Sequence, residues 1–419
     1  MIKLPKILKY PNFSRLYYAG LTSELGSFVT ETALMLLVFK LSEGDKSKLG
    51  IIRASFLFFL TMGSLLGGPI GEKFNRRNVL IFANIIRIPI ITVLFFSKDF
   101  YSILLVNAMV AFFTGIYNPS RQAMINDIVP QKEISIANSL FGSTMAILHM
   151  VGPFIGALVF SKMQGIDEIL TFDLITYFLG IALISTINYR PPKKESVDNV
   201  QTSLFYDLKE GLRYAQKRED LRALLFNCSI AGFCIGVLIP LLLPFVTEVL
   251  HLSDREYGLM LSVFGLGGFF GGIISHRLTS KHRPGKLIVS SIAFEPLLML
   301  LWLLIPVFIP NLIIFFFWGV IVFIRIPSQL NYVSETVETE YLSRIHSILD
   351  LSFVVPNISG GIIIAFIGNS FTTMEMLFCT AILFVILIFF KMFTSSSKAL
   401  FKSEAKRVTR DQSIQDGIA

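Results

Sequence analysis

Apolar runs separated by short polar segments recur along the whole chain. A helix needs roughly 20 apolar residues to cross a bilayer, whereas an outer-membrane barrel shows short alternating segments. The pattern therefore predicts an all-α integral membrane protein with twelve transmembrane helices. We place the spans at 14–40, 49–70, 78–97, 100–118, 136–161, 169–188, 222–249, 256–276, 286–306, 312–331, 342–367 and 374–393.

The composition excludes a soluble globular protein. Of the 419 residues, 53% are hydrophobic and only 16% are charged, against roughly 25% charged residues in soluble domains. The net charge of +8 needs no nucleic acid to explain it, because basic residues on the inner side of a membrane face anionic lipid headgroups. The expected partners are the lipid bilayer and a small amphipathic substrate, without nucleic acid, and a monomer is expected.

The distribution of lysine and arginine predicts the orientation. With the N-terminus inside, most of the 37 Lys and Arg residues lie on the cytoplasmic side. The outer loops with their helix ends hold only Lys40, Lys46, Lys48, Lys98, Lys162 and Arg255. The spans themselves contain Arg53, Arg87 and Arg325. By the positive-inside rule both termini are cytoplasmic, and we expect a multi-pass protein of a bacterial cell membrane.

The longest polar stretch, 189–221, divides the spans six and six. It predicts an N-terminal six-helix bundle over 1–188, a cytoplasmic central loop over 189–221 and a C-terminal six-helix bundle over 222–393. Leucines recur every four residues in the second half of the loop, which predicts a short amphipathic helix on the membrane surface. The basic cytoplasmic tail, 394–419, is expected to be disordered.

The two halves repeat each other at an offset of 208 residues. The segments "NPSRQAMINDIVPQKEISIANSL" and "IPSQLNYVSETVETEYLSRIHSI" align without gaps and pair Pro119 with Pro327. Gly50 and Gly258, near the starts of the second and eighth spans, share the same offset. Two pseudo-symmetric six-helix bundles are the architecture of transporters that rock around a site between the halves.

The segment "GGPIGEKFNRRNVL" joins the second and third spans. It resembles the signature loop of the major facilitator superfamily, Gly-x-Leu-Ala-Asp-Arg-x-Gly-Arg-Arg, with Asn75 where glycine is usual. We attribute the tolerance of Asn75 to the ability of asparagine to adopt left-handed backbone conformations. The matching positions are Gly68, Glu72, Lys73, Arg76 and Arg77.

This segment predicts a conformational latch. The second span contains four closely spaced glycines: Gly63, Gly67, Gly68 and Gly71. They are expected to give the span a thin face for packing against a neighbouring helix. Glu72 is expected to hold the N-terminus of a helix from the other half, and the basic residues are expected to clamp Asp127. These contacts would form in one conformation and break in the other.

The fifth span contains a second motif, "HMVGPFIGALV". Gly152, Pro153 and Gly156 resemble the Gly-Pro-x-x-Gly motif of the proton-coupled exporters in the superfamily; a simple helix kink explains the same residues. The opening segment "YPNFSRLYYAGLTSELGSF" and the "PSRQAMINDIVP" loop are similar to the macrolide-efflux and enterobactin-exporter branch. The resemblance implies efflux of a drug or an amphipathic metabolite in exchange for protons.

Ionisable residues inside spans are costly and are therefore candidates for ion coupling. Glu24 and Glu31 lie two helical turns apart, so they share one face of the first span. Arg87 lies in the third span and is expected to hold one of these carboxylates. The alternative is a structural carboxylate, with Glu31 paired to Arg53 or Arg87.

Glu295 is the corresponding candidate in the ninth span. It immediately precedes Pro296, and Arg325 is its nearest plausible partner, so a structural ion pair is the alternative. Ala111 occupies the position, relative to Gly115, where many antiporters of the superfamily have an arginine. Sodium coupling and facilitated export therefore remain open.

A cavity for amphipathic cargo would be lined by aromatic side chains and a few polar groups. The candidates in the first and fourth spans are Phe28, Asn107, Phe112, Phe113 and Tyr117. With forty phenylalanines in the chain, ordinary packing or lipid contact is the alternative.

The chain lacks the motifs of hydrolases, metalloenzymes and P-loop ATPases, so an enzyme is not expected. The predicted function is secondary active transport by alternating access, without a cofactor beyond the ion gradient and without a bound metal. A lipid flippase, a nutrient importer of the same fold and a non-transporting membrane sensor are the alternatives.

Overall fold

The computed structural model describes residues 6–163, 166–191, 204–392 and 394–402. All regular secondary structure in these ranges is helical. The α-helices are α1 (Pro11–Leu41), α2 (Lys46–Lys73), α3 (Arg76–Phe96), α4 (Phe100–Ile128), α5 (Ile134–Lys162), α6 (Asp167–Ser185), α7 (Leu204–Lys217), α8 (Glu219–Pro244), α9 (Asp254–Lys281), α10 (Pro284–Leu304), α11 (Phe308–Thr336), α12 (Thr339–Ile367), α13 (Thr373–Met392) and α14 (Ser395–Lys402). Short 3₁₀ turns precede α1 and α5, and a π turn, Phe245–Val249, follows α8.

Each predicted span corresponds to one long helix, and α7 and α14 are the two additional short helices. Within the described ranges, eleven helices are long and apolar enough to cross a membrane. The exception is α1, a continuous helix of 31 residues whose apolar sequence contains two acidic residues, Glu24 and Glu31. The predicted all-α membrane fold is confirmed.

The internal repeat is visible in the helix bounds. α2 and α9 have 28 residues each, α3 and α10 have 21, and α4 and α11 have 29. Each of these pairs begins and ends at the offset of 208 residues found in the sequence. The duplication therefore preserves helix length as well as residue type.

Two helices extend further than predicted. α4 continues past Pro119 to Ile128, although we ended the span at 118 and interpreted the polar sequence after it as a loop, and α11 continues past the predicted end at 331 to Thr336. A proline inside a helix removes one backbone hydrogen bond, and a packed helix tolerates this loss at the cost of a bend. As a result, Arg121 and Asp127 lie on α4 and not in a loop.

The described residues form two compact units. The first comprises the described residues of Met1–Val197, Gly236–Gly265 and Ile358–Met374. The second comprises those of Asp198–Ile235, Leu266–Asn357 and Glu375–Ala419. The first unit therefore includes short pieces from the second half of the sequence as well as the first six long helices.

Within the first unit, glycines allow α2 to pack closely on α4. A Cβ atom on Gly63 would lie 2.0 Å from the carbonyl oxygen of Phe112, and Cβ atoms on Gly67 and Gly71 would meet α4 at 2.9 Å. These three glycines form the predicted thin face. The prediction is wrong for Gly68, where a Cβ atom would meet nothing within 4 Å, because it points away from α4.

Within the second unit, the predicted amphipathic helix is present as α7, but it packs on α12. The rings of Tyr214 and Tyr341 stack with centroids 4.4 Å apart, and Arg344 donates a hydrogen bond of 2.9 Å to Asp207. One face of α7 is thus covered by protein, which corrects the expectation of a helix resting on the membrane alone. Residues 192–203 of the central stretch lie outside the described ranges.

The tail contributes a further helix to the second unit. Leu400 of α14 is fully buried and belongs to an apolar cluster that includes Ile288 of α10 and Tyr332 of α11. Its carbonyl oxygen lies 2.1 Å from the position of a Cβ atom on Gly285. The expectation of a disordered tail is therefore wrong for α14, because its apolar side chain has a core to enter. Residues 403–419 lie outside the described ranges.

Candidate functional site

The signature loop ends at the N-terminus of α3. Asn75 precedes the helix with φ −61° and ψ 117°, and its side chain accepts a hydrogen bond of 3.4 Å from the backbone N–H of Asn78. Asn75 is therefore an N-cap in extended conformation. Our explanation from left-handed backbone geometry is wrong at this position, because capping accounts for the asparagine.

Arg76 and Arg77 connect α3 to its neighbours. The guanidinium of Arg76 donates to the carboxylate of Asp127 on α4, and the hydroxyl of Tyr189 donates to the same carboxylate at 2.5 Å. Burial, together with this carboxylate, raises the pKa of Tyr189 to about 12. Arg77 donates to backbone carbonyls in the last turn of α6, where a helix end favours cations. The structure brings the expected clamp together, while its use as a latch stays a prediction.

The remaining signature residues do not join this cluster. Glu72 and Lys73 are exposed, and Gly68 has open space beside it. Lys73 lies 5.8 Å from the ring centroid of Phe74. Glu72 makes no hydrogen bond or ion pair with a described residue.

The glycine motif of α5 lies directly against α1. A Cβ atom on Gly152 would lie 2.5 Å from the Cβ atom of Phe28, and one on Gly156 would lie 2.6 Å from the carbonyl oxygen of Val29. The backbones of α1 and α5 can approach this closely only because both motif positions lack side chains. The motif therefore sets the position of the α1 segment that carries Glu31.

Glu24 of α1 pairs with Arg121 of α4. The Nη1–Oε1 distance is 2.7 Å, and the two side chains are 17% and 13% exposed. The guanidinium of Arg121 also lies 5.0 Å from the ring centroid of Phe141. A helix 4 arginine thus meets a helix 1 carboxylate, although Ala111 occupies the usual arginine position and is fully buried.

Glu31 pairs with Arg53 of α2. The Nη1–Oε1 distance is 3.2 Å, and 35% of the Glu31 side chain remains exposed. A small cavity beside the pair includes Asn107 of α4, which donates to the carbonyl of Ile52 at 3.3 Å. The other walls of this cavity are apolar: Leu34, Met35, Ile52 and Phe56. The structure therefore brings together Glu31 and Asn107, two residues that the sequence suggested separately.

Arg87 does not hold a helix 1 carboxylate. It is 1% exposed, and its Nη1 donates to Asn84 at 3.2 Å. Its guanidinium lies 5.3 Å and 5.5 Å from the ring centroids of Tyr117 and Tyr177. The expected contact with Glu24 or Glu31 is therefore corrected, since both carboxylates have other arginine partners.

Glu295 and Arg325 form a buried ion pair in the second unit. The Nε–Oε1 distance is 2.5 Å, and the side chains are 3% and 1% exposed. Arg325 also donates to Gln329 at 3.4 Å, and Gln329 donates to the thiol sulfur of Cys228 at 3.2 Å. This arrangement matches the structural alternative for Glu295.

The aromatic cavity candidates do not converge on one site. Tyr117 is buried against Arg87, and Phe28 packs on the glycine motif. Phe112 and Phe113 contact each other with ring centroids 5.4 Å apart. Phe113 also contacts Phe82, which is 58% exposed. Of the five candidates, only Asn107 lines the cavity beside Glu31.

Comparison with known proteins gives the family. The family model described as Major Facilitator Superfamily matches residues 17–361 and 224–411. The chain belongs to the Major Facilitator Superfamily. It is therefore a multi-pass membrane transporter and not an enzyme, as the sequence predicted.

The relatives of this Major Facilitator Superfamily chain include an efflux protein. The uncharacterized MFS-type transporter YkuC of Bacillus subtilis is 26% identical over 325 residues, which cover 74% of this chain and 71% of that protein. Macrolide efflux protein A of Streptococcus pyogenes is 23% identical over 358 residues, which cover 81% and 86%. A bacterial homolog of the human lysosomal transporter Spinster, solved in an inward-facing and unoccupied conformation, shares the fold with a TM-score of 0.72 and 15% identity, covering 94% of this chain and 98% of that one.

Repeated glycines of this superfamily member make equivalent contacts. A Cβ atom on Gly50 of α2 would lie 2.7 Å from the carbonyl oxygen of Gly361 on α12. A Cβ atom on Gly258 of α9 would lie 3.1 Å from the carbonyl oxygen of Pro153 on α5. The two glycines, 208 residues apart, thus each allow close packing with a helix from the opposite half of the sequence.

Polar contacts beside these glycines were not predicted. Lys40 pairs with Asp254 at 2.7 Å, and Lys46 pairs with Glu248 at 3.4 Å. Thr373 donates to the same Glu248 carboxylate at 2.6 Å. We used Lys40 and Lys46 only as outer-loop charges, because nothing in one sequence pairs residues so far apart in the chain.

Asp173 is the second omission. It lies on α6 of this superfamily member within an apolar run and is 1% exposed. The rule that selected Glu31, an acid inside a span, selects Asp173 equally well.

Proposed function

We propose that this protein is a secondary transporter that exports amphipathic small molecules in exchange for protons. The observation that carries the proposal is Glu31, which is paired with Arg53 and yet keeps 35% of its side chain exposed. A carboxylate of this kind can bind a proton when its arginine is displaced, and it can lose the proton when the pair re-forms. Exchange of this kind is the minimum that proton coupling requires.

The resemblance of Gly152, Pro153 and Gly156 to the motif of proton-coupled exporters supports the export direction, and the contacts of the motif support its coupling to Glu31. Gly152 lies against Phe28 and Gly156 lies against Val29 and Thr32, in the turn of α1 that contains Glu31. Because the two helices are in direct backbone contact there, a movement of α5 should also move the Glu31–Arg53 pair. Similarity to macrolide efflux protein A adds independent support for efflux.

The surroundings of Glu31 support the cargo class. Apolar side chains from α1 and α2 flank the ion pair, and Asn107 supplies an amide. The cavity itself is small, about 10 Å³, so its apolar lining with a single amide supports the chemistry of the cargo and not its size. We propose drugs of the macrolide-like kind or amphipathic metabolites as the cargo, and Arg53 as the group that competes with cargo for Glu31.

The proposal includes the location of the transporter. We place it in a bacterial cell membrane with both termini in the cytoplasm, as a monomer that uses the proton gradient without another cofactor. The rivals are sodium coupling, facilitated export, a lipid flippase, an importer and a membrane sensor. Proton-driven export requires the proton gradient and reverses with it, whereas sodium coupling, facilitated export and a sensor do not depend on it.

Transport into inverted membrane vesicles tests the proposal, because the cytoplasmic face of the protein is outward in them. Wild type should accumulate ethidium or erythromycin in vesicles whose lumen is acidified, and Glu31→Gln should reduce this accumulation to background. Glu168→Gln is the matched control, because Glu168 is an exposed glutamate in the first turn of α6. Normal pumping by Glu31→Gln would refute the coupling role. Transport driven by sodium alone, or uptake into intact cells along the proton gradient, would favour the corresponding rival.

A further inference from the structure

Asp173 lies in a buried site with few hydrogen-bond donors. Its carboxyl group accepts one hydrogen bond among the described residues, from the hydroxyl of Thr176 at 3.4 Å. That hydroxyl is shared, since it also donates to the backbone carbonyl of Asp173 at 2.7 Å. The hydroxyl of Thr30 on α1 faces the same carboxyl group. An ionised carboxylate away from water needs more donors than these.

Arg87, in contrast, has hydrogen-bond donors without acceptors. The side chain is 1% exposed, and Asn84 accepts from its Nη1 atom. Its Nε and Nη2 atoms are buried without a hydrogen-bond acceptor. The guanidinium lies over the ring of Tyr177, one turn along α6 from Asp173, and within electrostatic reach of the Asp173 carboxyl group. Unused donors thus lie close to a carboxyl group that lacks donors.

Glycines hold these two groups in one small region. A Cβ atom on Gly26 of α1 would lie 2.5 Å from Oδ1 of Asp173. A Cβ atom on Gly180 of α6 would lie 3.3 Å from Nδ2 of Asn84 on α3. The three helices α1, α3 and α6 therefore meet around Asp173 and Arg87, and a small shift of one helix changes the distance between the two side chains.

We propose that Asp173 is a second proton-exchanging carboxyl group of this transporter and that Arg87 is its counter-ion. In the arrangement seen here the neutral carboxyl group is held by Thr176. When α1 moves with the Glu31–Arg53 pair, the Asp173 O–H bond breaks and the proton passes to water. The Nε and Nη2 donors of Arg87 then bind the carboxylate, and the reverse movement returns the proton. The inference rests on the proposed proton coupling and adds a site on α6 to it.

Other titratable groups face this site from every surrounding helix. Glu24 faces it from α1 and is held by Arg121. Tyr177 lies on α6 itself, and Tyr117 faces Arg87 from α4. The hydroxyls of Tyr117 and Tyr177 are buried without a hydrogen-bond partner among the described residues. Glu24 has an arginine partner, whereas no arginine of the described ranges donates to the Asp173 carboxyl group. Asp173 is therefore the carboxyl group in this cluster that can still take up an arginine.

Infrared difference spectroscopy tests the inference without a cargo. Purified full-length protein in phospholipid nanodiscs is transferred from mildly acidic to mildly alkaline buffer, and the carbonyl stretch of protonated carboxyl groups is followed. Wild type should lose a component that Asp173→Asn lacks. Asp167→Asn is the matched control on the same helix, because Asp167 is ion-paired with Lys98 at the start of α6. This variant should show the component in acidic buffer and lose it in alkaline buffer, as wild type does. Arg87→Gln should retain the component in alkaline buffer, because the counter-ion is gone.

An unchanged spectrum of Asp173→Asn, or normal loss of the component in Arg87→Gln, would overturn the inference. If Asp173→Asn does not fold, ¹³C-carboxyl labelling of aspartate in wild type and in Arg87→Gln replaces it. The labelled, isotope-shifted component must respond to pH in wild type and persist in the variant. Absence of gradient-driven efflux by wild type would instead refute the proposed function, and the infrared result would still decide whether Asp173 exchanges a proton and whether Arg87 is its counter-ion.

Discussion

Arg121, two residues after the proline in α4, donates a hydrogen bond of 2.7 Å to Glu24 of α1 across 97 positions of sequence. Both side chains are largely buried, so each charge depends on the other for compensation. The pair connects the helix that carries Glu31 to the helix that carries Asp127, and thus joins the proposed coupling region to the proposed latch.

Removal of one partner should destabilise the protein more than removal of both. Arg121→Gln leaves the Glu24 carboxylate buried without its counter-ion, a loss of about 1–3 kcal/mol. Thermal unfolding in detergent should show a lower midpoint for Arg121→Gln and a partial recovery when Glu24→Gln is added. Equal additive losses in the double-mutant cycle would mean that the two side chains do not interact in solution.

A methyl group in the α5 motif should impair transport. Gly156→Ala would place a Cβ atom 2.6 Å from a backbone oxygen of α1, so the two helices must separate. Gradient-driven dye efflux should fall by at least roughly tenfold, which corresponds to about 1.4 kcal/mol, while membrane insertion is retained. Gly142→Ala is the control on the same helix, because a Cβ atom there meets nothing within 4 Å. Equal activity of the two variants would contradict the packing role.

Hydropathy was sufficient to predict the twelve long helices, because it depends on local sequence, and the repeat followed from residues that match at an offset of 208 positions. The end of α4 was not predictable in this way. The polar residues after Pro119 resemble a loop, and only the contacts of Arg121 and Asp127 with side chains of other helices show why the helix continues. Leu400 presents the same difficulty, since a tail with few apolar residues folds only when a core receives its side chain.

The candidate site was predictable as a set of charged residues but not as a set of pairs. Glu31, Glu24 and Arg87 were identified because ionisable groups are rare at this depth. Which arginine meets which carboxylate depends on helix rotation, which a single sequence does not specify. Arg87 was therefore assigned to α1, although its neighbours are Asn84, Tyr177 and Asp173.

Tyr189 should make stability depend on pH in alkali. Burial and the Asp127 carboxylate raise its pKa from 10.0 to about 12, so between these values the folded protein binds more protons than the unfolded chain. The contribution of Tyr189 is therefore fully present below about pH 10 and is lost as the pH rises towards about 12. Unfolding of wild type and Tyr189→Phe across this range should show a steeper decline for wild type. Parallel curves would mean that the hydroxyl does not donate to Asp127.

Docking of α14 should contribute measurably to the free energy of unfolding of the second unit. Leu400→Ala removes a fully buried side chain and should cost about 2–5 kcal/mol. Phe401→Ala is the matched control, because Phe401 is the next residue and is 42% exposed. Limited proteolysis after α13 should be faster for Leu400→Ala than for wild type or Phe401→Ala. The same rate for all three would show that α14 does not stay docked.

The Glu295–Arg325 pair should prove structural, in contrast to Asp173 and Arg87. Glu295 binds the Nε and Nη2 atoms of Arg325, and Gln329 accepts from Nη1, so the arginine nitrogens that are unused in Arg87 are occupied here. Glu295→Gln alone leaves a buried cation without its counter-ion and should destabilise the protein by about 3–5 kcal/mol. Replacement of both partners, Glu295→Leu with Arg325→Met, should restore most of the stability and retain gradient-driven efflux. A stable double variant that has lost gradient dependence would instead make Glu295 a coupling residue.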